Sequence, residues 1–378
     1  MCGIIGYSGR LEAKQVLVNG LEQLEYRGYD SAGIAQITKE TVEITKTTGN
    51  VSVLKRKLEE KETIASHCGI GHTRWATHGG VTEGNAHPHQ VGKVTLIHNG
   101  IIENYKKIRE DYGKGILFHS QTDTEIAAML FDSFYHGNPE EAIWNTVAKL
   151  EGSYAFCILF EDIPNTVYCI RKISPLVAAY AKEGAFVASD ITALIAYTQD
   201  YFVVPEDTIL VLTDEKAELH NRKGNIVEKE MLHVKWDFTA AQKNGYPYYM
   251  LKEIYEQPEA LWNTVAPRIK EDIPDFEEEQ IPDSVFESIK QVKIVACGTA
   301  MHAGLIGKVL IEKRVRLSVG VEIASEFRYA SPIIDSNTLV IVISQSGETI
   351  DTLASLRLAK ELKAVTLGIV NVKGSTIA

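Results

Sequence analysis

From residue 290 onward, short and largely apolar runs alternate with helical stretches, and this pattern leaves few folds open. VKIVA (292–296), LVIVI (339–343) and VTLGIV (365–370) show no in–out alternation. Strands of that kind are buried on both faces, as in a parallel sheet covered by helices. Between the last two, Ile350, Leu353, Ala354, Leu358 and Leu362 share one helix face. A doubly wound domain normally has more than three strands, so the sequence is expected to stop, at Ala378, inside a domain.

The preceding region reads differently. Ala13, Leu17, Leu21 and Leu24 predict an amphipathic helix over 11–25, and Ile126, Leu130 and Phe134 another over 125–134. Residues 94–98 (VTLIH) alternate as a strand does. AFCILF (155–160) and VYCIR (167–171) read as one hairpin, LVAAY (176–180) and AFVA (185–188) as a second, with further short strands up to about 232. Helices first and strands later predict sheets covered by helices in one layered domain. Residues 240–250 are polar and aromatic, and 271–284 hold seven acids and no base, with Pro274 and Pro282. Both stretches read as connection. The expected division is a domain at 2–235, a linker with connecting helices at 236–287, and a second, incomplete domain at 288–378.

Charge and cysteine usage narrow the function classes. The 378 residues carry 39 bases and 50 acids, a net charge of −11, which argues against nucleic acid as a partner. The five cysteines, at 2, 68, 157, 169 and 297, form no CxxC pair, so neither a zinc ribbon nor a disulfide framework is signalled. Such a sparse, odd set fits a reducing compartment. No export signal opens the chain and no window reaches the ~20 apolar residues of a membrane span. The expectation is a cytoplasmic protein with no membrane partner.

Cys2 is the sharpest single residue. Removal of Met1 would leave a thiol and a free α-amine on one residue, and an α-amine titrates at ~7.7–8.0. That amine can take the thiol proton, a known way to activate a nucleophile. The plain alternative is an ordinary buried cysteine. In the run His72 to Gly79, the Arg74 fork suits a carboxylate and Trp75 can seal a pocket. The alternative there is a surface arginine–tryptophan stack beside a turn at Gly79-Gly80. Asn99-Gly100, after His98, can offer an amide and a backbone N–H to an oxyanion. Taken alone, however, Asn-Gly reads more strongly as a tight turn. Thr122 and Glu125 match a capping box, which leaves Asp123 for a substrate ammonium or for the helix dipole. His87-Pro88-His89 reads as a locally packed loop, and no metal constellation stands out.

Ser344-Gln345-Ser346-Gly347-Glu348-Thr349 joins a strand to a helix, and Cys297-Gly298-Thr299 holds the equivalent place after the neighbouring strand. Hydroxyls, glycine and helix N-terminal amides form a phosphate cradle. Neither a Walker loop nor GxGxxG is present. Two such loops at strand carboxyl ends would share one crevice, which points to a small phosphorylated ligand.

Together these residues resemble the glutamine–fructose-6-phosphate aminotransferases. The resemblance rests on Cys2 to Gly6, Leu24 to Gly33, Gly71 to Gly79 and His98 to Asn104. Lys252 to Pro258, Val321 to Tyr329 and Ser344 to Thr349 extend it. It runs over essentially the whole chain, although Cys2 with His98-Asn99-Gly100 alone fits any class II glutamine amidotransferase. It implies an α+β N-terminal-nucleophile glutaminase, an α/β/β/α sandwich, followed by an incomplete α/β SIS (sugar isomerase) domain. The implied partners are L-glutamine and fructose 6-phosphate, the implied product glucosamine 6-phosphate, and the family implies a homodimer. No metal or organic cofactor is implied. By the same resemblance Cys2 is the nucleophile and Asn99 and Gly100 the oxyanion hole. Arg74, Trp75, Thr77, His78 and Asp123 hold glutamine. Gly298, Thr299, Ser344, Gln345, Ser346 and Thr349 hold the sugar phosphate. Two departures stand out: Ala300 occupies a usual serine position, and no second SIS lobe, with its Schiff-base lysine, follows. A stand-alone glutaminase and a phosphosugar-binding module are the alternative readings.

Overall fold

A computed structural model of the chain describes all residues except 1, 39–40, 62–64, 77–78, 235–245, 247, 278, 280 and 373–374. The chain divides into two compact units, 1–249 and 250–378.

In the first unit, strands β1 (Gly3–Gly9), β2 (Ser31–Ile37), β3 (Val42–Thr48) and β4 (Cys68–Arg74) share one sheet with β9 (Val177–Ala181), β10 (Gly184–Ala188), β11 (Asp200–Val203) and β15 (Leu232–His233). Its order is β15-β11-β9-β10-β1-β4-β2-β3. The second sheet runs β14-β13-β12-β8-β7-β6-β5. It comprises β5 (His89–Val91), β6 (Val94–Ile102), β7 (Gly152–Phe160), β8 (Val167–Lys172), β12 (Ile209–Leu212), β13 (Ala217–His220) and β14 (Ile226–Val227). The neighbouring strands for which register is recorded in these two sheets pair antiparallel.

Three apolar layers bind the unit. Ile4 and Ile70 of the first sheet meet Ile97, Cys157 and Cys169 of the second in a core between the sheets, which also holds Cys68. Helices α1 (Ala13–Leu24) and α2 (Val51–Glu59) cover the outer face of the first sheet through Leu17, Leu21 and Leu54. Helices α4 (Asp123–Phe134) and α5 (Pro139–Val147), with the shorter α3 (Tyr105–Tyr112), cover the second through Leu130, Phe131 and Ile143. The result is the expected α/β/β/α sandwich. Helix α1 buries the residues its spacing marked, and both predicted hairpins form, with Cys157 opposite Cys169 in one and Gly184 opposite Ala181 in the other.

The second unit opens with α6 (Tyr249–Val265), a two-residue hairpin of β16 (Ile269–Lys270) and β17 (Ile273–Pro274), and the short α7 (Ser284–Glu287). A parallel sheet follows in the order β19-β18-β20-β21, built from β18 (Gln291–Ala296), β19 (Ser318–Ile323), β20 (Thr338–Ser344) and β21 (Val365–Val370). Helices α8 (Gly298–Arg314), α9 (Ala324–Phe327) and α10 (Ile350–Glu361) connect these strands. The expectation of three strands is therefore corrected to four. SVGVEI escapes the rule of continuous apolar runs because β19 is an edge strand, where Ser, Gly and Glu are tolerated.

Candidate active site and phosphate-type loops

Antiparallel pairing decides where Cys2 goes. β1 lies beside β4 with Gly3 opposite Thr73, so the residue before β1 meets the end of β4. The Trp75 N–H donates to Cys2 Sγ at 3.3 Å, and Sγ is 3.7 Å from the Trp75 carbonyl oxygen. Burial pushes the thiol pKa up, against the pull of the Trp75 hydrogen bond and of the Arg74 and Arg27 charges. A thiol held this way stays protonated near neutral pH and needs a base to attack. The Trp75 ring sits against Tyr29, centroids 5.6 Å apart.

The second sheet supplies Asn99 and Gly100. The tight-turn reading of this pair is wrong: β6 continues through it, with Asn99 opposite Ala155 and Gly100 opposite Tyr154. Gly100 has φ +136°, and a Cβ there would sit 2.1 Å from the Ser153 carbonyl oxygen, so only glycine fits. Asn99 Nδ2 donates to the Cys2 carbonyl at 3.0 Å.

Asp123 is the first residue of α4, and its Oδ2 accepts the Ile102 N–H at 2.8 Å. The capping box forms only in half. Thr122 Oγ1 accepts the Glu125 N–H, but the Glu125 carboxylate takes the N–H groups of His119 (2.8 Å) and Ser120 (2.6 Å). Cys2, Arg74, Trp75, Gly100 and Asp123 line one small cavity of about 50 Å³. A guanidinium and a carboxylate on one cavity complement the two charges of a free α-amino acid. Thr77 and His78 lie outside the described residues.

A cluster the sequence did not flag reaches the cavity, where His72, His87 and His98 form part of the lining. His72, His87, His89 and His98 are all buried, and the rings of His72 and His87 stack at 4.1 Å. Burial holds all four imidazoles below their usual range, His72 at about 3. The signal was legible only in part: histidines at 72, 87, 89 and 98 converge because β4, β5 and β6 do, which no local spacing announces. Among the described residues, no group of three or more His, Cys, Asp or Glu could hold a metal ion. No helix of the described residues is long and apolar enough to cross a membrane.

In the second unit, β18 and β20 are parallel neighbours, so the loops after Ala296 and Ser344 stand side by side at their carboxyl ends. Gly298, with φ +55°, and Thr299 open α8. Ser344 Oγ accepts the Gly347 N–H at 3.0 Å and lies 3.1 Å from Thr349 Oγ1. Ser346 Oγ accepts the Glu348 N–H at 3.2 Å, and Gln345 is exposed. All six residues expected at a sugar phosphate thus belong to these two loops.

Comparison with known proteins agrees with this division. Residues 72–196 match the model of a glutamine amidotransferase domain and residues 286–378 that of a SIS domain. The glutamine–fructose-6-phosphate aminotransferase (isomerizing) of Clostridium acetobutylicum is 48% identical over the whole chain, and that of Thermus thermophilus 45%. By sequence, the chain is similar to this family along its whole length. It spans 63% and 62% of the length of those two relatives. A solved Bacillus subtilis glutamine phosphoribosylpyrophosphate amidotransferase covers 98% of the chain and 81% of its own, at 18% identity and a TM-score of 0.52. That likeness concerns the fold alone.

Proposed function

We propose that the first unit hydrolyses L-glutamine and that the second binds fructose 6-phosphate, as parts of an enzyme that makes glucosamine 6-phosphate. The observation that carries the reading is the meeting of the Cys2 thiol, Arg74, Gly100 and Asp123 at one cavity. Arg74 takes the glutamine α-carboxylate and Asp123 its ammonium, which aims the side-chain amide at Cys2. With Met1 removed, the Cys2 α-amine accepts the thiol proton as Sγ bonds to the amide carbon. The oxyanion formed is held by Asn99 Nδ2 and the Gly100 N–H. The C–N bond then breaks and ammonia leaves with that proton. Water attacks the thioester, releasing glutamate and restoring the thiol.

Trp75 closes the glutamine side of the site, and the family resemblance assigns Thr77 and His78 to glutamine as well. In the second unit, the sugar phosphate takes the N–H groups at the start of α8 and the hydroxyls of Thr299, Ser344, Ser346 and Thr349, with Gln345 and Gly298 beside them. The names of the relatives support this pairing of substrates. Amination and isomerisation of the sugar belong to the whole enzyme, read here as a cytoplasmic homodimer without organic cofactor or metal.

The test is glutamate release by the purified chain given glutamine. The parent is expected to release it, and Cys2→Ala, or a block on Met1 removal, to abolish it. Cys2→Ala should leave fructose 6-phosphate binding unchanged by calorimetry. Full activity in either variant refutes the nucleophile.

A further inference from the structure

We propose that His72 is a positioning residue that holds the Asn99 side-chain amide with its Nδ2 toward Cys2; this rests on the glutaminase reading above. His72 Nε2 lies 3.0 Å from Asn99 Oδ1 and 3.1 Å from the His98 carbonyl oxygen. A backbone carbonyl oxygen only accepts, so Nε2 carries the hydrogen. The atom of Asn99 facing it must then be the acceptor, Oδ1, and the NH2 group faces the other way. There Nδ2 donates to the Cys2 carbonyl at 3.0 Å.

An asparagine amide turned by 180° would present its oxygen to the developing oxyanion, and two negative oxygens repel. One imidazole hydrogen thus decides whether Asn99 stabilises or opposes the charge formed on the substrate. The environment keeps that hydrogen where it is needed. His72 is fully buried and its Nδ1 has no hydrogen-bond partner among the described residues. Its ring is stacked on His87, whose own Nδ1 accepts the His98 N–H. Burial keeps His72 neutral down to about pH 3, so the same tautomer serves across the working range. His72 lines the cavity with Arg74 and Gly100, and through this bond it acts on Asn99.

Methionine and glutamine are close in size and reach, but only glutamine carries an N–H at the Nε2 position. His72→Met is expected to lower kcat for glutamate release tenfold or more, toward the ~10²–10³ that loss of an oxyanion donor costs. Its KM for glutamine should stay within about twofold. His72→Gln should keep kcat within about threefold of the parent. In an Asn99→Ala background, His72→Met should change kcat by less than about twofold, because the amide it positions is gone. Equal kcat in the Met and Gln variants, or the same loss with and without Asn99, overturns the proposal. The unmutated chain offers a second readout that needs no variant to fold. Nitrogen-15 spectra of the His72 ring should show Nε2 protonated and Nδ1 bare, and the opposite tautomer overturns the assignment. If the parent releases no glutamate, or releases it equally after Cys2→Ala, the glutaminase reading fails and takes this inference with it. If the activity depends on Cys2 but not on a donor at 72, only the role of His72 falls.

Discussion

The two candidate sites are built in opposite ways. The cavity at Cys2 is assembled from five places in the chain: the residue before β1, the end of β4, the loop before β5, the later part of β6 and the start of α4. Arg74 is buried in it, Cys2 and Asp123 are half-buried, and the buried, neutral His72, His87 and His98 complete its lining. The phosphate-type loops of the second unit are two short segments at the ends of adjacent parallel strands, and their hydrogen bonds run mostly within one loop. A site made by long-range register depends on the whole unit keeping its fold. A site made by local turns depends on a few hydroxyls. Conditions and substitutions should therefore affect the two very differently.

Acid separates them most. His72, His87, His89 and His98 have folded-state pKa values below the usual histidine value. The unfolded chain then binds more protons than the folded one below pH ~6.5, so stability is lost as pH falls from there. His72 alone, at about 3, costs roughly 2 kcal/mol by pH 5, and the other three act in the same direction. The only histidine of the second unit, His302, is exposed. Hydrogen exchange followed by mass spectrometry between pH 7 and 4.5 should show the first unit opening at higher pH than the second. Simultaneous opening would break the contrast.

Next in size is the charge complement of the cavity. Arg74→Ala or Asp123→Asn removes one partner of a buried charge contact with substrate, which costs ~2–5 kcal/mol. KM for glutamine should rise ~30-fold or more, and fructose 6-phosphate affinity should not move. Steady-state glutamate release and calorimetry read the two.

Gly100→Ala tests the strand in place of the turn. The substitution forces a Cβ against the Ser153 carbonyl oxygen at a φ that side chains rarely adopt. Strain of that kind costs ~1–3 kcal/mol. The unfolding free energy of the first unit, from denaturant titration, should fall by that much, whereas a turn glycine with open space would tolerate the change. The smallest effect belongs to the local site: Ala300→Ser, in the first turn of α8, adds one hydroxyl. It should tighten fructose 6-phosphate by about tenfold at most, since a hydrogen bond contributes ~0.5–1.5 kcal/mol net.

The same contrast explains what could be read from sequence. Helix α1, both hairpins and the strands β18, β20 and β21 follow from periodicity, because each buries a face its own spacing defines. The serine-rich loops were visible for the same local reason. Cys2, Arg74 and Asp123 could be named from their chemistry and from resemblance, but nothing in their spacing says that they meet. Asn99-Gly100 misled because the dipeptide fits a tight turn, and only pairing with β7 shows that the strand runs on. Glu125 matched a capping box, yet the nearby N–H groups of His119 and Ser120 take its carboxylate. Edge strand β19 lacked the apolar run that marks an inner strand. His72 carried no local signal at all, since its partner lies two strands away in sequence and in the other sheet.

The core between the two sheets has a practical consequence for thiol chemistry. Cys68, Cys157 and Cys169 are sealed there, with Cys157 and Cys169 sulfurs 3.4 Å apart, and burial pushes Cys68 up to about 12 and Cys169 well above its usual value. To an alkylating reagent, the folded chain therefore presents two sulfurs, Cys2 and Cys297, in place of five. They lie in different units, and of the two it is Cys2 that lines the cavity beside Arg74. Saturating glutamine should shield one of them and leave the other as an internal standard, so that a single labelling experiment counts filled sites directly.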